Sequence, residues 1–194
     1  MSIIIPANTL ASGGFEVANS LRFNDGSSDY LNQTVGGGSR TTWTWSAWIK
    51  LGSLATDRSL FSTYVHGNDN FKINIADTDT VSMRFYNGTE YQLGLNRVFR
   101  DTAAWYHLVF VADTTNATAA DRFRIYVNGV RETSFQSGAN SQPTRNLAMS
   151  VNDSNVQQIG RFNTGAYFDG YMAEVRFIDG QALAADSFGE FDED

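Results

Sequence analysis

Apolar and polar positions alternate most clearly between Trp105 and Phe135, WYHLVFVADTTNATAADRFRIYVNGVRETSF. Trp105–Ala112 is apolar on both alternating sets, Trp105, Val109 and Val111 against Leu108, Phe110 and Ala112, which predicts a strand covered on both faces. Arg122–Val127 sets Phe123, Ile125 and Val127 against Arg122, Arg124 and Tyr126, the pattern of a strand with one face in the core and one towards water. Asn128-Gly129 follows at once. Both residues tolerate the positive φ that a two-residue type I′ turn needs, so a hairpin is expected, returning through Val130–Phe135.

The same alternation marks Thr41–Lys50, with Trp43, Trp45, Ala47 and Ile49 towards the core and Thr42, Thr44, Ser46, Trp48 and Lys50 on the other face. Leu60–Tyr64 and Phe71–Ile75 read as strands around a polar loop, His66-Gly67-Asn68-Asp69-Asn70. Val81–Tyr86 points Val81, Met83 and Phe85 inward and turns at Asn87-Gly88 into Thr89–Leu95. Asn19–Asn24 and Tyr30–Thr34 are short strands, and Asn140–Ser154 is a long polar connection. Gln157–Phe162 and Tyr167-Phe168 precede a last strong strand, Tyr171–Ile178, read with Tyr171, Ala173, Val175 and Phe177 on one face. Gln181–Phe188 has room for one helical turn. Turn signals recur every ~8–12 residues, the spacing of a β-sandwich, and no longer helical period is present.

Composition narrows the picture. A chain of 194 residues suits one all-β domain with a sizeable core, and fourteen Phe, eight Tyr and four Trp are enough to fill it. There is no cysteine, so neither disulfides nor thiolate metal sites contribute. The formal charge is −7 and no Lys/Arg run occurs, which argues against a nucleic-acid partner. The apolar run in MSIIIPANTL lacks a basic flank and is too short for a leader or a membrane span, so a soluble protein with no membrane insertion and no cleaved secretion signal is expected. Residues 1–18 read as an N-terminal arm or edge strand in which Ile3, Ile4 and Ile5 want a partner, residues 19–188 as the domain, and residues 189–194 as an acidic tail.

Four segments in order, TWTWSAWIK, WYHLVFVAD, FRIYVNGVRE and FDGYMAEVRFIDGQALAADSF, resemble the laminin-G-like and pentraxin-like branch of the concanavalin A-like lectin/glucanase superfamily. The resemblance runs from about Leu21 to Phe188 and implies a two-sheet antiparallel jelly-roll sandwich with a concave face. The flanking text, NSLRFNDGSSDYLN and GQALAADSFGEFDED, is similar to modules in structural proteins of tailed bacteriophages. That similarity implies a virion-surface location, a decoration, fibre or fibre-tip role, capsid or tail proteins as partners, and a homo-oligomer such as a trimer.

Chemistry in the sequence is sparse. A glucanase of this superfamily needs two carboxylates about 5–5.5 Å apart for retention. The only strand-like acidic spacing, Glu190 to Asp194, falls in the tail, and Glu174 has no acidic neighbour two residues away, so no catalytic residue is expected. His107 sits among apolar neighbours as a structural residue, and with His66 the only other histidine no His triad can form. Related lectin-like jelly rolls often hold calcium with Asp and Asn at loop ends, for which Asp25, Asp29, Asp69, Asp77 and Asp79 are the candidates, although such residues also populate ordinary turns. Sugar recognition wants aromatic faces beside amides and carboxylates. Tyr64, His66, Asn68 and Asp69 offer that mix in one segment and Asn163 and Tyr167 in another, while Trp48, opposite the core-facing Trp pair, is a candidate for the concave sheet unless a loop covers it. The function expected is a non-catalytic virion module that attaches to other virion proteins or to host-surface polysaccharide. A calcium-dependent lectin is the alternative, and a glycoside hydrolase is the weakest reading.

Overall fold

The computed structural model describes residues 19–189. Within them, thirteen strands numbered along the chain form two antiparallel sheets. The six-stranded sheet runs, edge to edge, β1 (Leu21–Phe23), β13 (Gly170–Asp179), β3 (Thr42–Leu51), β8 (Tyr106–Asp113), β9 (Phe123–Val127) and β10 (Val130–Arg131). The seven-stranded sheet runs β11 (Phe135–Ser141), β7 (Glu90–Val98), β6 (Thr80–Tyr86), β5 (Asp69–Ile75), β4 (Arg58–His66), β12 (Val156–Ile159) and β2 (Leu31–Thr34). The expected all-β jelly-roll sandwich is what the chain forms.

The alternation on β3 decides the core. Trp43, Trp45, Ala47 and Ile49 are fully buried and meet Phe61 and Phe71 from the facing sheet. Trp43 packs edge-on to Phe71 at 5.2 Å and stacks on Phe177 at 5.7 Å, while Trp45 stacks on Phe61 at 6.2 Å. Such aromatic pairs add about 0.5–1.5 kcal/mol each beyond area burial. Val81, Met83 and Phe85 point inward as the pattern on β6 requires.

β8 is covered on both faces. Leu108 and Phe110 enter the main core, whereas Val109 and Val111, with Tyr126, lie under a strap formed by residues 181–188. The strap carries Ala182, Ala184, Ala185 and Phe188 and ends in a single 3-10 turn, Ala185–Phe188. Thr44 pins it twice: its Oγ1 donates to the Gln181 carbonyl at 2.8 Å and accepts from the Leu183 N–H at 2.9 Å.

Four readings of the pattern need correction. The Asn128-Gly129 turn is present, with φ of 49° and 80°, but its returning strand, expected over Val130–Phe135, is only Val130–Arg131. The chain then crosses to the other sheet, where Phe135–Ser141 pairs with β7, so the expected polar connection loses its first two residues, Asn140 and Ser141, to a strand. The expected loop His66–Asn70 is a tight turn, with Gly67 and Asn68 alone between β4 and β5. Finally, Tyr171 and Ala173 do not share a face with Val175 and Phe177. Ala173 pairs with Trp48 and Arg176 with Ser46, so Glu174 and Val175 together oppose Ala47, a β-bulge with Glu174 at φ 50°. The extra residue flips the first half of the strand. Met172 is buried at the core and Tyr171 faces solvent. The Ile3–Ile5 partner-seeking run and the Glu190–Asp194 acidic spacing lie outside the described residues.

Candidate functional site

Strand alternation forces every second residue of the seven-stranded sheet outward, and on four neighbouring strands those residues are polar. Lys72 and Asn74 come from β5, Ser82 and Arg84 from β6, Gln92 from β7 and Gln136 from β11. With Thr78, Thr80 and Phe162 they line a groove of about 470 Å³. Its polar side chains hold one another in place. Ser82 Oγ donates to Asn74 Oδ1 at 2.7 Å, and Asn74 Nδ2 donates to Asp57 Oδ1 at 2.9 Å. Arg84 donates from Nε to Glu90 at 2.6 Å and from Nη1 to Asn70 Oδ1 at 2.9 Å. Gln136 Nε2 donates to Thr80 Oγ1 at 3.0 Å. Lys72 Nζ stands 3.7 Å from Asp57 Oδ2 and 5.5 Å from the Phe162 ring centre. Amides, hydroxyls and an ammonium held along one groove that also offers an aromatic ring can take up sugar hydroxyls in a set orientation.

The sequence-derived glycan candidates divide into three places. Tyr64 meets the edge of Phe162 at 5.6 Å and so flanks the groove. Asn163 occupies the turn closed by the Phe162–Gly165 bridge, at φ 53°, directly after that ring. Tyr167 lies 6.4 Å from Tyr30, over which the Arg161 guanidinium sits at 3.5 Å. Tyr64 and Asn163 thus adjoin the Phe162 ring, and Tyr167 belongs to the Tyr30–Arg161 cluster. His66, Asn68 and Asp69 sit at the β4–β5 turn, where His66 Nδ1 accepts from the Asn68 N–H at 3.2 Å. Trp48 stands apart, on the outer face of the six-stranded sheet, stacked on His107 at 5.0 Å.

His107 is buried, with Nε2 2.9 Å from Ser46 Oγ. Desolvation, reinforced by the nearby Arg176 charge, lowers its pKa from 6.5 to about 4, which leaves the ring neutral at pH 7. Its structural role is the one the sequence suggests.

The calcium candidates do not converge. Among the described residues no group of three or more His, Asp or Glu side chains is placed to hold a metal ion. Asp25 is exposed in a short 3-10 turn, Asp29 Oδ2 accepts from the Asn24 N–H at 3.1 Å, and Asp77 is exposed. Asp79 is corrected outright. Its Oδ1 accepts from the Ala55 N–H at 2.7 Å and from Arg58 at 3.1 Å, and its Oδ2 takes Arg100 at 3.1 Å. Burial pushes the carboxyl up, but the Ala55 N–H and the two guanidinium groups outweigh it and hold it below the ordinary carboxylate range. Arg58, itself fully buried, donates further to the Thr56 and Ser53 carbonyls. Burial lowers its pKa against the pull of Asp79.

Fold and groove together define a lectin-like jelly roll. The family model described as the concanavalin A-like lectin/glucanases superfamily matches residues 25–187, and the chain belongs to that superfamily. No curated protein sequence matches the chain. Among solved structures it is similar to domain 4 of AbnA, a GH43 extracellular arabinanase from Geobacillus stearothermophilus, in complex with arabinotriose. That match has 18% identity and a TM-score of 0.61, and covers 79% of this chain and 68% of that one. It is also similar to the CBM40 of the Ruminococcus gnavus IT-sialidase bound to α2,3 sialyllactose, at 14% identity, TM-score 0.53, 82% of this chain and 96% of the other. A third similar structure is the native heptameric SAP-like pentraxin of Limulus polyphemus, at 16% identity, TM-score 0.52, 88% of this chain and 76% of that one. At these identities the likeness is one of fold.

The groove residues are what the sequence reading missed. Lys72, Asn74, Arg84, Gln92 and Gln136 are each the polar half of an ordinary alternation, indistinguishable along the chain from a solvated sheet face. Only the order β11-β7-β6-β5 brings them together.

Proposed function

We propose that the protein is a non-catalytic carbohydrate-binding module displayed on the surface of a bacteriophage particle, where it engages host-surface polysaccharide or neighbouring virion proteins. The observation that carries the binding half is the groove on the seven-stranded sheet, which Lys72, Asn74, Arg84, Gln92 and Gln136 line together with the Phe162 ring. Two of the similar structures were solved with saccharides bound, which supports the same reading. The non-catalytic half rests on the lack of an acidic pair on a strand: Glu174 has Met172 and Arg176 two positions away on β13, and its carboxylate is bonded to Arg176 at 2.6 Å. The virion setting rests on the phage-like text at the two ends of the domain, and assembly as a homo-oligomer, such as a trimer, goes with it.

The test is a glycan array probed with the intact protein and with Gln92→Ala and Phe162→Ala. Binding by the intact protein should fall at least about ten-fold in both variants, while melting temperature changes little. A silent array, or binding indifferent to both changes, removes the proposal. Mass spectrometry of purified phage particles tests the setting, and absence of the protein from them excludes it.

A further inference from the structure

We infer that the outer face of the six-stranded sheet carries a second ligand site, for an acidic saccharide, formed by Trp105, Tyr171, Lys50 and Arg22. The site exists because of the bulge in β13. Without it, Tyr171 would share the inward face with Val175 and Phe177; with it, Tyr171 faces water beside Lys50, its cross-strand partner. Arg22 on β1 pairs with Tyr171 from the other side, and Trp105 directly precedes β8. One row therefore crosses three strands and ends on the residue that leads into a fourth.

Trp105 and Tyr171 are each 37% exposed, with ring centres 6.4 Å apart and planes at 59°, an open V of two aromatic faces. Sugar rings present C–H faces to such surfaces. The charges give the ligand its sign. The protein carries −7 overall and has only two lysines, yet one of them, Lys50, lies in this row with no carboxylate among the described residues within ion-pair distance. The Arg22 guanidinium lies 5.3 Å from the Tyr171 ring centre and is anchored behind it to Asp169 at 2.6 Å. Asp169, 11% exposed at its side chain, fixes the guanidinium and offsets part of its charge, which leaves the Lys50 ammonium as the main positive group of the row. A carboxylate or sulfate on a sugar stacked in the V would meet the Lys50 ammonium and the outer edge of Arg22.

A protein partner fits less well. A stable interface covers about 800 Å² per side. Here the strap already occupies the adjoining Val109, Val111 and Tyr126, with Phe188 6.3 Å from His107. The open platform is one row of side chains.

The test uses the full chain, an α-1,4-linked oligogalacturonate and its methyl ester, and fluorescence or calorimetric titration. The charged oligomer should bind, the neutral ester should bind at least about ten-fold more weakly, and Lys50→Met and Trp105→Ala should each weaken binding by a similar factor. A sulfated oligosaccharide behaving as the galacturonate does would assign the site to anionic sugars at large. Both variants alter surface positions, and unchanged melting temperatures would confirm that they fold. Gln92→Ala in the opposite groove should leave this binding intact, so the two faces are tested separately. Equal binding of acid and ester, or binding indifferent to Lys50→Met and Trp105→Ala, overturns the inference. So does a dimer at assay concentration that Trp105→Ala dissolves, since the row would then be a protein contact.

Discussion

Asp79 shows how one side chain can be read in two ways. In the text ADTDT it stands in a stretch of oxygen-bearing residues, as a calcium ligand would. In the fold it is the buried counter-ion of Arg58 and Arg100, each twenty-one residues away along the chain. Nothing local announces that pairing. Asp79→Asn leaves the Arg58 guanidinium buried and uncompensated, and should cost about 3–5 kcal/mol in urea unfolding. Arg100→Gln, at a largely exposed partner, should cost less than about 1 kcal/mol. Because the folded Asp79 pKa is depressed, its contribution is present above the unfolded carboxylate range and is lost as pH falls through the folded value. His107 acts in a higher window. Its folded pKa of about 4 lies below the unfolded 6.5, so the unfolded chain binds more protons between the two. Stability from this residue is full above pH 6.5 and falls towards pH 4 by a total of the order of 3 kcal/mol. His107→Gln should flatten that part of a stability–pH curve. An unchanged slope would contradict the assigned burial.

At the level of single elements, alternation identifies strands and inward faces wherever the period holds, as on β3 and β6. It fails where one residue is inserted. The bulge at Glu174 and Val175 shifts the phase in mid-strand, and no residue type in GYMAEVRFID marks the place, since neither glycine nor asparagine holds the positive φ. Glu174→Gly removes the left-handed strain and loses only a half-exposed ion pair with Arg176, so it should be neutral or stabilising by up to about 1 kcal/mol. Glu174→Val, with a branched Cβ at φ 50°, should destabilise by about 1–3 kcal/mol. Chemical denaturation of the pair checks the register directly. If valine were tolerated as well as glycine, the bulge would be misplaced, and with it the outward turn of Tyr171. The β9–β10 hairpin is the converse case. Asn128-Gly129 fixes its turn from the sequence, but the crossing after Arg131 depends on β7 having a free edge for Phe135–Ser141, which lies beyond any local signal.

Across the described residues, two sheets clasp an aromatic interior, and a chain without cysteine closes it with no disulfide. Strand count and aromatic content made that architecture legible. Which strands share a sheet, and so which polar positions meet, was not, because long-range pairing has no sequence period. Tyr64, Asn163 and Tyr167 could be singled out because aromatic and amide residues adjoin in the text. Their neighbours from β5, β6, β7 and β11 could not. The central claim is that the polar face of the seven-stranded sheet binds carbohydrate, and calorimetric titration of a neutral oligosaccharide selected on the array tests it most directly. The intact protein should give saturable binding that Gln92→Ala and Phe162→Ala each weaken at least about ten-fold, while Trp105→Ala on the opposite sheet leaves it unchanged. Saturable binding that survives both groove changes would contradict the account.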